Sequence, residues 1–493
     1  MALEKLLDLY GEIHDLHMAG AVLRWDQQVC MPPRGAAARG RQLATLGGIA
    51  HERLTGAAFR AALDEARAAD PQDAESRAVL REITHQFDRA TRLPNSLVRE
   101  LELAESKAHH SWEKARALNR FDLFAPDLRR IVELVRQKAD CFGWEDTPWD
   151  ALGDDYERGI PAARIAALFE PLKQSTIALL DKLRGRSVDT SFLSQNWSLE
   201  AQREFGLRVA RDIGYDLAAG RLDIATHPFC TNFSPGDVRI TTRYGLDSPF
   251  ESLGGIIHEA GHALYEQGFT ADERSPLGNA PSMGMHESQS RFWEVRIAQS
   301  RPFWHHYLPI MRQYFPGRLD DVTPEQVYAA VNRVEPGYIR VEADEVTYNL
   351  HVIIRFELEL LLIGGQMDVA DLPAAWNDRY EKYLGLRPRN DREGCLQDIH
   401  WSGGAFGYFP SYTFGNIYAA MLTEAMVRDL PDMWSLVARG DFAPILAWLR
   451  GRIHAAGSRH LAGELVESVC GRSLSTAPLV HHLERKYIDL YNL

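Results

Sequence analysis

Apolar residues recur at helical spacing from the beginning of the chain. Leu3, Leu6, Leu7, Tyr10, Ile13 and Leu16 alternate with Glu, Lys and Asp across residues 1–16. Leu128, Ile131, Val132, Leu134 and Val135 repeat the pattern. Steps of three and four place such residues on one face of an amphipathic helix. The Ala-rich tract 36–69 keeps Leu and Phe in the same period and reads as helix. Between these segments Met31-Pro32-Pro33-Arg34-Gly35 must interrupt, because proline removes a donor and restrains the residue before it. A polar stretch, 184–198, reads as a connection between lobes. The period changes at 222–244, where Val238, Ile240 and Thr242 alternate with Asp237, Arg239, Thr241 and Arg243. This is the strongest strand signal in the chain. Beyond Ser248 the helical pattern returns and runs on to the end. The expected fold is mainly α with one small sheet. The expected organisation is one unit, 1–493, with a helical N-terminal lobe (1–220) and a second lobe (221–493) carrying strand and site.

Composition narrows the function. Apolar residues at 45% and charged residues at 25% describe a globular chain. With 55 Lys and Arg against 68 Asp and Glu, the formal charge is −13, which lacks the basic footprint of a nucleic-acid binder. No apolar run approaches the roughly 20 residues of a bilayer span, so no membrane association is expected. The amphipathic start does not resemble a signal peptide. Cys30, Cys141, Cys230, Cys395 and Cys470 are odd in number, widely spaced and without a C-x-x-C pair. They predict no disulfide framework and no thiolate zinc site. Most are expected to be small buried residues, and the cytoplasm is the expected compartment.

Chemistry concentrates downstream of the strand. Ser248 can cap a helix, Pro249 suits its first turn, Glu251 can complete a capping box and Gly268 offers a left-handed stop. The helix between them, about five turns long, contains His258-Glu259-Ala260-Gly261-His262. Histidines four apart face the same way, so both imidazoles can reach one zinc ion, with Glu259 beside its water. A chance match on a helix surface is the bland alternative. It is disfavoured by Ile256, Ile257, Ala263 and Leu264, which predict a buried helix on which unpaired imidazoles would be costly. Tyr265 and Gly268 stand where the H-E-x-x-H-x-x-G-x-x-H class has Gly and His, which excludes that class. The third ligand is then expected to be a glutamate on a later helix. Spacing leaves two candidates, Glu287 near the start of the segment and Glu294 two turns on. His305-His306 and His481-His482 lack carboxylates at ligand spacing and read as surface residues.

Six ordered motifs resemble the thermostable, Taq-type metallocarboxypeptidases, peptidase family M32. They are His227-Pro228-Phe229, Asp237-Val238-Arg239-Ile240-Thr241, His258 to His262, His286-Glu287-Ser288-Gln289, Ile339-Arg340-Val341-Glu342-Ala343-Asp344, and Gly394-Cys395-Leu396-Gln397-Asp398-Ile399-His400-Trp401. Looser similarity covers nearly the whole chain. The resemblance implies His258, His262 and Glu287 as metal ligands and Glu259 as acid/base. It also implies the two-lobed, mostly helical zincin fold of neurolysin and angiotensin-converting enzyme, zinc with cobalt as a substitute, peptide substrates, and a cytoplasmic homodimer that removes C-terminal residues with broad specificity. A metal-dependent oligopeptidase or dipeptidyl carboxypeptidase is the competing reading of the same constellation. A non-catalytic metal protein is disfavoured by Glu259, since a purely structural site needs no base. Three further roles follow. His400, Tyr408 and Tyr412 are candidate donors to the charge that builds on the scissile carbonyl oxygen. Arg340 is the candidate clamp for the substrate's α-carboxylate, with Glu342, Asp344 and Glu345 as its alternative internal partners. Asp237, Arg239 and Thr241 lie on a strand that could pair with substrate as an edge, though support of the site is the expected role of their side chains. A site role for His227 and an orienting role for Asp344 are also open.

Overall fold

The computed structural model describes residues 2–493, so Met1 of the first predicted helix lies outside it. That helix runs further than the first repeat, Ala2–Val29, and stops at Pro32 and Pro33 as expected. The Ala-rich tract forms two helices, Ala36–Thr55 and Ala57–Ala68. Gly56 breaks it with an extended ψ of 159°, and a Cβ there would lie 2.8 Å from the Glu52 carbonyl oxygen.

Three hydrophobic cores organise the molecule. The first joins Leu6, Tyr10, Ile13, Phe59, Leu63, Ile83 and Phe87 of the N-terminal helices, closed by Leu277 from far along the chain. The second joins Asn95–Leu118, Ala125–Phe142 and Ala162–Leu183 to Tyr348–Ile363, Leu372–Leu384 and Ala477–Leu490. The third gathers the sheet, Leu199–Asp212, Pro249–Glu266, Arg301–Tyr314 and Ala443–Arg452. The helix Pro410–Asp429 feeds both large cores, with Phe414 and Tyr418 on one side and Ala419 and Met426 on the other. A boundary near residue 220 therefore falls inside the third core, and the chain crosses between the large cores more than once.

The sheet has three strands: β1 (Leu222–Ile224), β2 (Cys230–Ser234) and β3 (Asp237–Thr242), in the order β1-β3-β2. β3 pairs parallel to β1 through Leu222–Ile240 and antiparallel to β2 through Cys230–Ile240. This corrects the reading of β3 as an edge, because both of its sides are occupied. Its side chains act as supports. Asp237 and Arg239 form a two-bond pair (2.8 and 2.8 Å), and the Arg239 guanidinium lies 4.4 Å over the Trp25 ring, tying the first helix to the sheet. Thr241 Oγ1 accepts from the Phe229 amide at 2.9 Å. Among the described residues no helix is long and apolar enough to cross a membrane. All five cysteines are free, but only Cys395 and Cys470 are buried, fewer than expected.

Candidate active site

The helix Pro249–Glu266 begins as its sequence predicts. Ser248 Oγ accepts from the Phe250 amide at 3.2 Å and Pro249 occupies the first turn, although Glu251 does not complete a capping box. The helix does not end on a left-handed glycine. Gly268 is instead small because a Cβ there would meet the His454 ring at 2.4 Å. His258 and His262 project from one face with ring centroids 4.9 Å apart.

Two glycines bring the third donor to them. A Cβ on Gly261 would lie 2.6 Å from Ser290 Cα, and one on Gly415 would lie 2.4 Å from Glu287 Cγ. Glycine at both positions therefore lets the helix Met283–Arg291 seat Glu287 between two other helices. Glu287 Oε2 is 3.7 Å from His258 Nε2 and 3.5 Å from His262 Nε2, and the ligand atoms of the three residues lie within 4.8 Å of one another. Tetrahedral bonds of about 2.0–2.1 Å need donor atoms roughly 3.3 Å apart, which is close to the two Glu287–His separations. Each imidazole's other nitrogen is engaged. His258 Nδ1 faces Glu294 Oε2 at 2.9 Å and His262 Nδ1 faces the His286 carbonyl at 3.1 Å. A neutral imidazole that donates from Nδ1 presents its Nε2 lone pair, here to the common centre. The donor set fits a divalent cation such as zinc.

Glu294 thus meets the same imidazole as Glu287, at the opposite ring nitrogen. After Arg291 the helix widens into a π-helical turn, Phe292–Ala298, that carries Glu294. Arg291 Nη1 donates to Glu294 at 2.9 Å, and its Nε donates to Asn416 Oδ1 at 2.8 Å. Burial raises the Glu259 carboxyl to about 7, against the pull of His258 and His286. Burial also opposes charge on Glu287, but His258, His262 and Arg291 outweigh it and hold that carboxyl at about 2. His286 stacks on His262 at 4.2 Å and pairs with Glu266 at 2.7 Å.

A second cluster carries Arg340. Its Nε and Nη2 donate to Asp398 Oδ1 at 3.1 and 2.9 Å, and its Nη1 donates to the Tyr348 hydroxyl at 3.3 Å. Its internal partner is therefore Asp398, not Glu342, Asp344 or Glu345. Arg355 takes the other oxygen of Asp398 at 2.7 Å. Two guanidinium groups share one carboxylate, leaving one positive charge uncompensated. Asp344 builds its own turn, accepting from the Val346 and Thr347 amides at 2.9 Å each. Glu345 is claimed by Lys486 and by His482, at 2.6 and 2.8 Å, so His482 is no free surface residue; His305 also pairs, with Glu325 at 3.4 Å. His227 is exposed on the turn between β1 and β2.

His400, Tyr408 and Tyr412 do come together. His400 Nε2 lies 3.3 Å from the Tyr412 hydroxyl, and the two tyrosine rings meet edge to face at 5.2 Å. Burial lowers His400 to about 4 and raises Tyr408 to about 12, so both are neutral near pH 7. Their loop hangs on a residue that the sequence reading missed. Glu359, fully buried, accepts from Trp401 Nε1 (2.8 Å), the Gly407 amide (2.9 Å) and Trp149 Nε1 (3.0 Å). Glu157, also missed, accepts from the Gly284 amide at the start of the Glu287 helix and from the Tyr418 hydroxyl. Next to it, Tyr156 packs edge to face on Tyr408 at 5.1 Å.

The chain is similar along its whole length to known metallopeptidases. The sequence profile described as carboxypeptidase Taq (M32) metallopeptidase matches residues 5–487. Thermostable carboxypeptidase 1 of Thermus thermophilus is 43% identical, with 99% of each chain covered. Carboxypeptidase 1 of Bacillus subtilis is 35% identical over the same shares. The crystal structure of an M32 carboxypeptidase from Deinococcus radiodurans superposes with a TM-score of 0.97 at 38% identity, covering all of both chains.

Proposed function

The chain belongs to the carboxypeptidase Taq (M32) metallopeptidase family and is a metal-dependent carboxypeptidase, and from that premise we propose which residues carry the reaction. His258, His262 and Glu287 hold the ion, which is zinc, with cobalt as a workable substitute. The carrying observation is the convergence of three donors whose imidazole Nδ1 atoms are already engaged. A zinc ion held by these three residues would supply a water acidified to near neutral pH and Lewis-acid polarisation of the scissile carbonyl.

Glu259 takes the proton of the attacking water and hands it to the departing amide nitrogen. Tyr408 and Tyr412 keep their hydroxyl protons near pH 7, and with the single N–H of neutral His400 they donate toward the charge growing on the carbonyl oxygen. Arg340 receives the substrate's terminal carboxylate. Of its five N–H donors three are taken by Asp398 and Tyr348, which leaves one on each terminal nitrogen, the pair that a carboxylate can bridge. The uncompensated charge of the Arg340–Asp398–Arg355 group favours an anion there. Asp237, Arg239 and Thr241 shape the wall and do no chemistry.

We further propose that residues 1–493 act as one peptidase unit on peptide substrates and assemble as a homodimer, as the family resemblance implies. Five unpaired thiols suit a reducing, cytoplasmic setting. Mass spectrometry of a digested peptide tests the reading. The expected result is a ladder shortened by single residues from the C-terminus, abolished by a chelator and restored by zinc. Glu259→Gln should keep the metal and lose turnover; unchanged turnover in that variant refutes the assignment of the site.

A further inference from the structure

Tyr348 was singled out by no motif, yet it stands between the two halves of the site. It opens the helix Tyr348–Ile363, and its amide donates to the Asp344 carbonyl at 2.9 Å, so the Asp344 turn fixes where its ring begins. The ring is then clamped on two sides. The Arg291 guanidinium lies 5.2 Å from its centroid, and the Tyr412 ring meets it edge to face at 6.3 Å. Arg291 is itself tied through Glu294 to His258, so the clamp is continuous with the metal ligands.

The hydroxyl faces the other way. Its oxygen accepts from Arg340 Nη1, while its own proton has no acceptor among the described residues. The side chain is only half-buried. An uncommitted O–H donor therefore lies next to the two uncommitted N–H donors of Arg340, in a pocket with one excess positive charge. A carboxylate offers about four lone-pair sites and can take all three donors. The accepted bond from the guanidinium also polarises the phenol and strengthens its donation to an anion.

We propose that Tyr348 donates its hydroxyl proton to the substrate's C-terminal carboxylate and fixes that carboxylate's distance from the metal ligands. It is thus a specificity residue for exopeptidase cleavage. The proposal rests on Arg340 as the carboxylate clamp and deepens that reading. The tyrosine is braced by Arg291 on the metal side and presents its hydroxyl on the Arg340 side.

The test uses the full-length, zinc-loaded protein carrying Glu259→Gln, so that peptides bind without turnover. Calorimetry compares an N-acylated dipeptide acid with its C-terminal amide, in that background and with Tyr348→Phe or Arg340→Ala added. Loss of one charge-assisted bond corresponds to a fall of about 10- to 100-fold in affinity. Tyr348→Phe should therefore cut affinity for the acid by that factor and leave affinity for the amide and the zinc content unchanged. In the otherwise unaltered enzyme Tyr348→Phe should raise KM more than it lowers kcat on the acid. An acid affinity within threefold of the parent, or an equal loss on the amide, overturns the proposal. If Arg340→Ala removes the preference for the acid while Tyr348→Phe keeps it, the tyrosine fails and the clamp stands. If Arg340→Ala leaves the preference intact, the clamp fails, and the tyrosine proposal falls with it.

Discussion

Glu157→Gln isolates one buried carboxyl and turns it into a measurable pH dependence. Glu157 is 2% exposed, and burial raises its carboxyl from the ordinary 4.5 to about 7. Gly284, Ser282, Ser411 and Tyr418 favour the charged form, but burial outweighs them. Below about pH 4.5 folded and unfolded chains both carry the proton. As pH rises toward 7 the unfolded chain gives it up while the folded protein retains it, so stability falls. Above 7 the folded carboxyl ionises as well and the full loss is in place. A difference of about 2.5 pKa units corresponds to about 3 kcal/mol. With roughly 2.1 cal/mol/K of unfolding entropy per residue, this chain's total is about 1 kcal/mol/K, so the loss is about 3 °C in Tm. Glutamine cannot titrate, but its amide oxygen can still accept from Gly284. Calorimetric melts of chelated protein, from pH 5 to 8, should show the Tm of the wild type falling relative to Glu157→Gln by about 3 °C. Chelation removes metal binding as a second source of pH dependence. A difference that stays level within 1 °C would show that Glu157 is ionised throughout and refute the reasoning.

The two glutamates around His258 should separate by severity. Glu287→Gln removes a ligand, whereas Glu294→Gln only loosens the partner of Nδ1, which typically costs 10- to 100-fold in metal affinity. Competition with a chromophoric chelator should place Glu287→Gln well below Glu294→Gln; the reverse order would exchange their roles. Glu359→Gln must turn an amide NH₂ toward either Trp401 or the Trp149–Gly407 pair, so a donor faces a donor, at about 1–3 kcal/mol. It should lower Tm and kcat while metal content stays full, and unchanged kcat would free the His400–Tyr408 loop from that support.

What was legible in the sequence was chemistry set within one turn or one helix. His258 and His262 need only i, i+4 geometry to share a centre, and Ser248-Pro249 marks a helix start by local bonds. Gly268 misled, because its smallness answers to a ring from residue 454 and not to a backbone turn. The strand at 237–242 was equally local, but its place in the middle of the sheet depended on partners at 222 and 230 whose weaker patterns said nothing of order. Arg340 shows the limit most clearly. Its charge pointed to a carboxylate partner, and the nearest acids in sequence were the natural candidates. The true partner, Asp398, lies 58 positions away and is also held by Arg355. One signal was present and passed over. In Tyr348–Ile363 the polar residues His351, Arg355 and Glu359 fall every fourth position, and all three are fully buried. A polar stripe at helical spacing inside an otherwise apolar helix implies partners supplied by other segments, because burying such groups unpaired would cost several kcal/mol each. Those partners are Tyr380, Asp398, Trp401 and Gly407, so the stripe is the seam on which the Asp398–Tyr408 loop is mounted. The catalytic candidates of that loop stand where they do because a helix of the same core, some forty positions earlier in the chain, carries the groups that hold it.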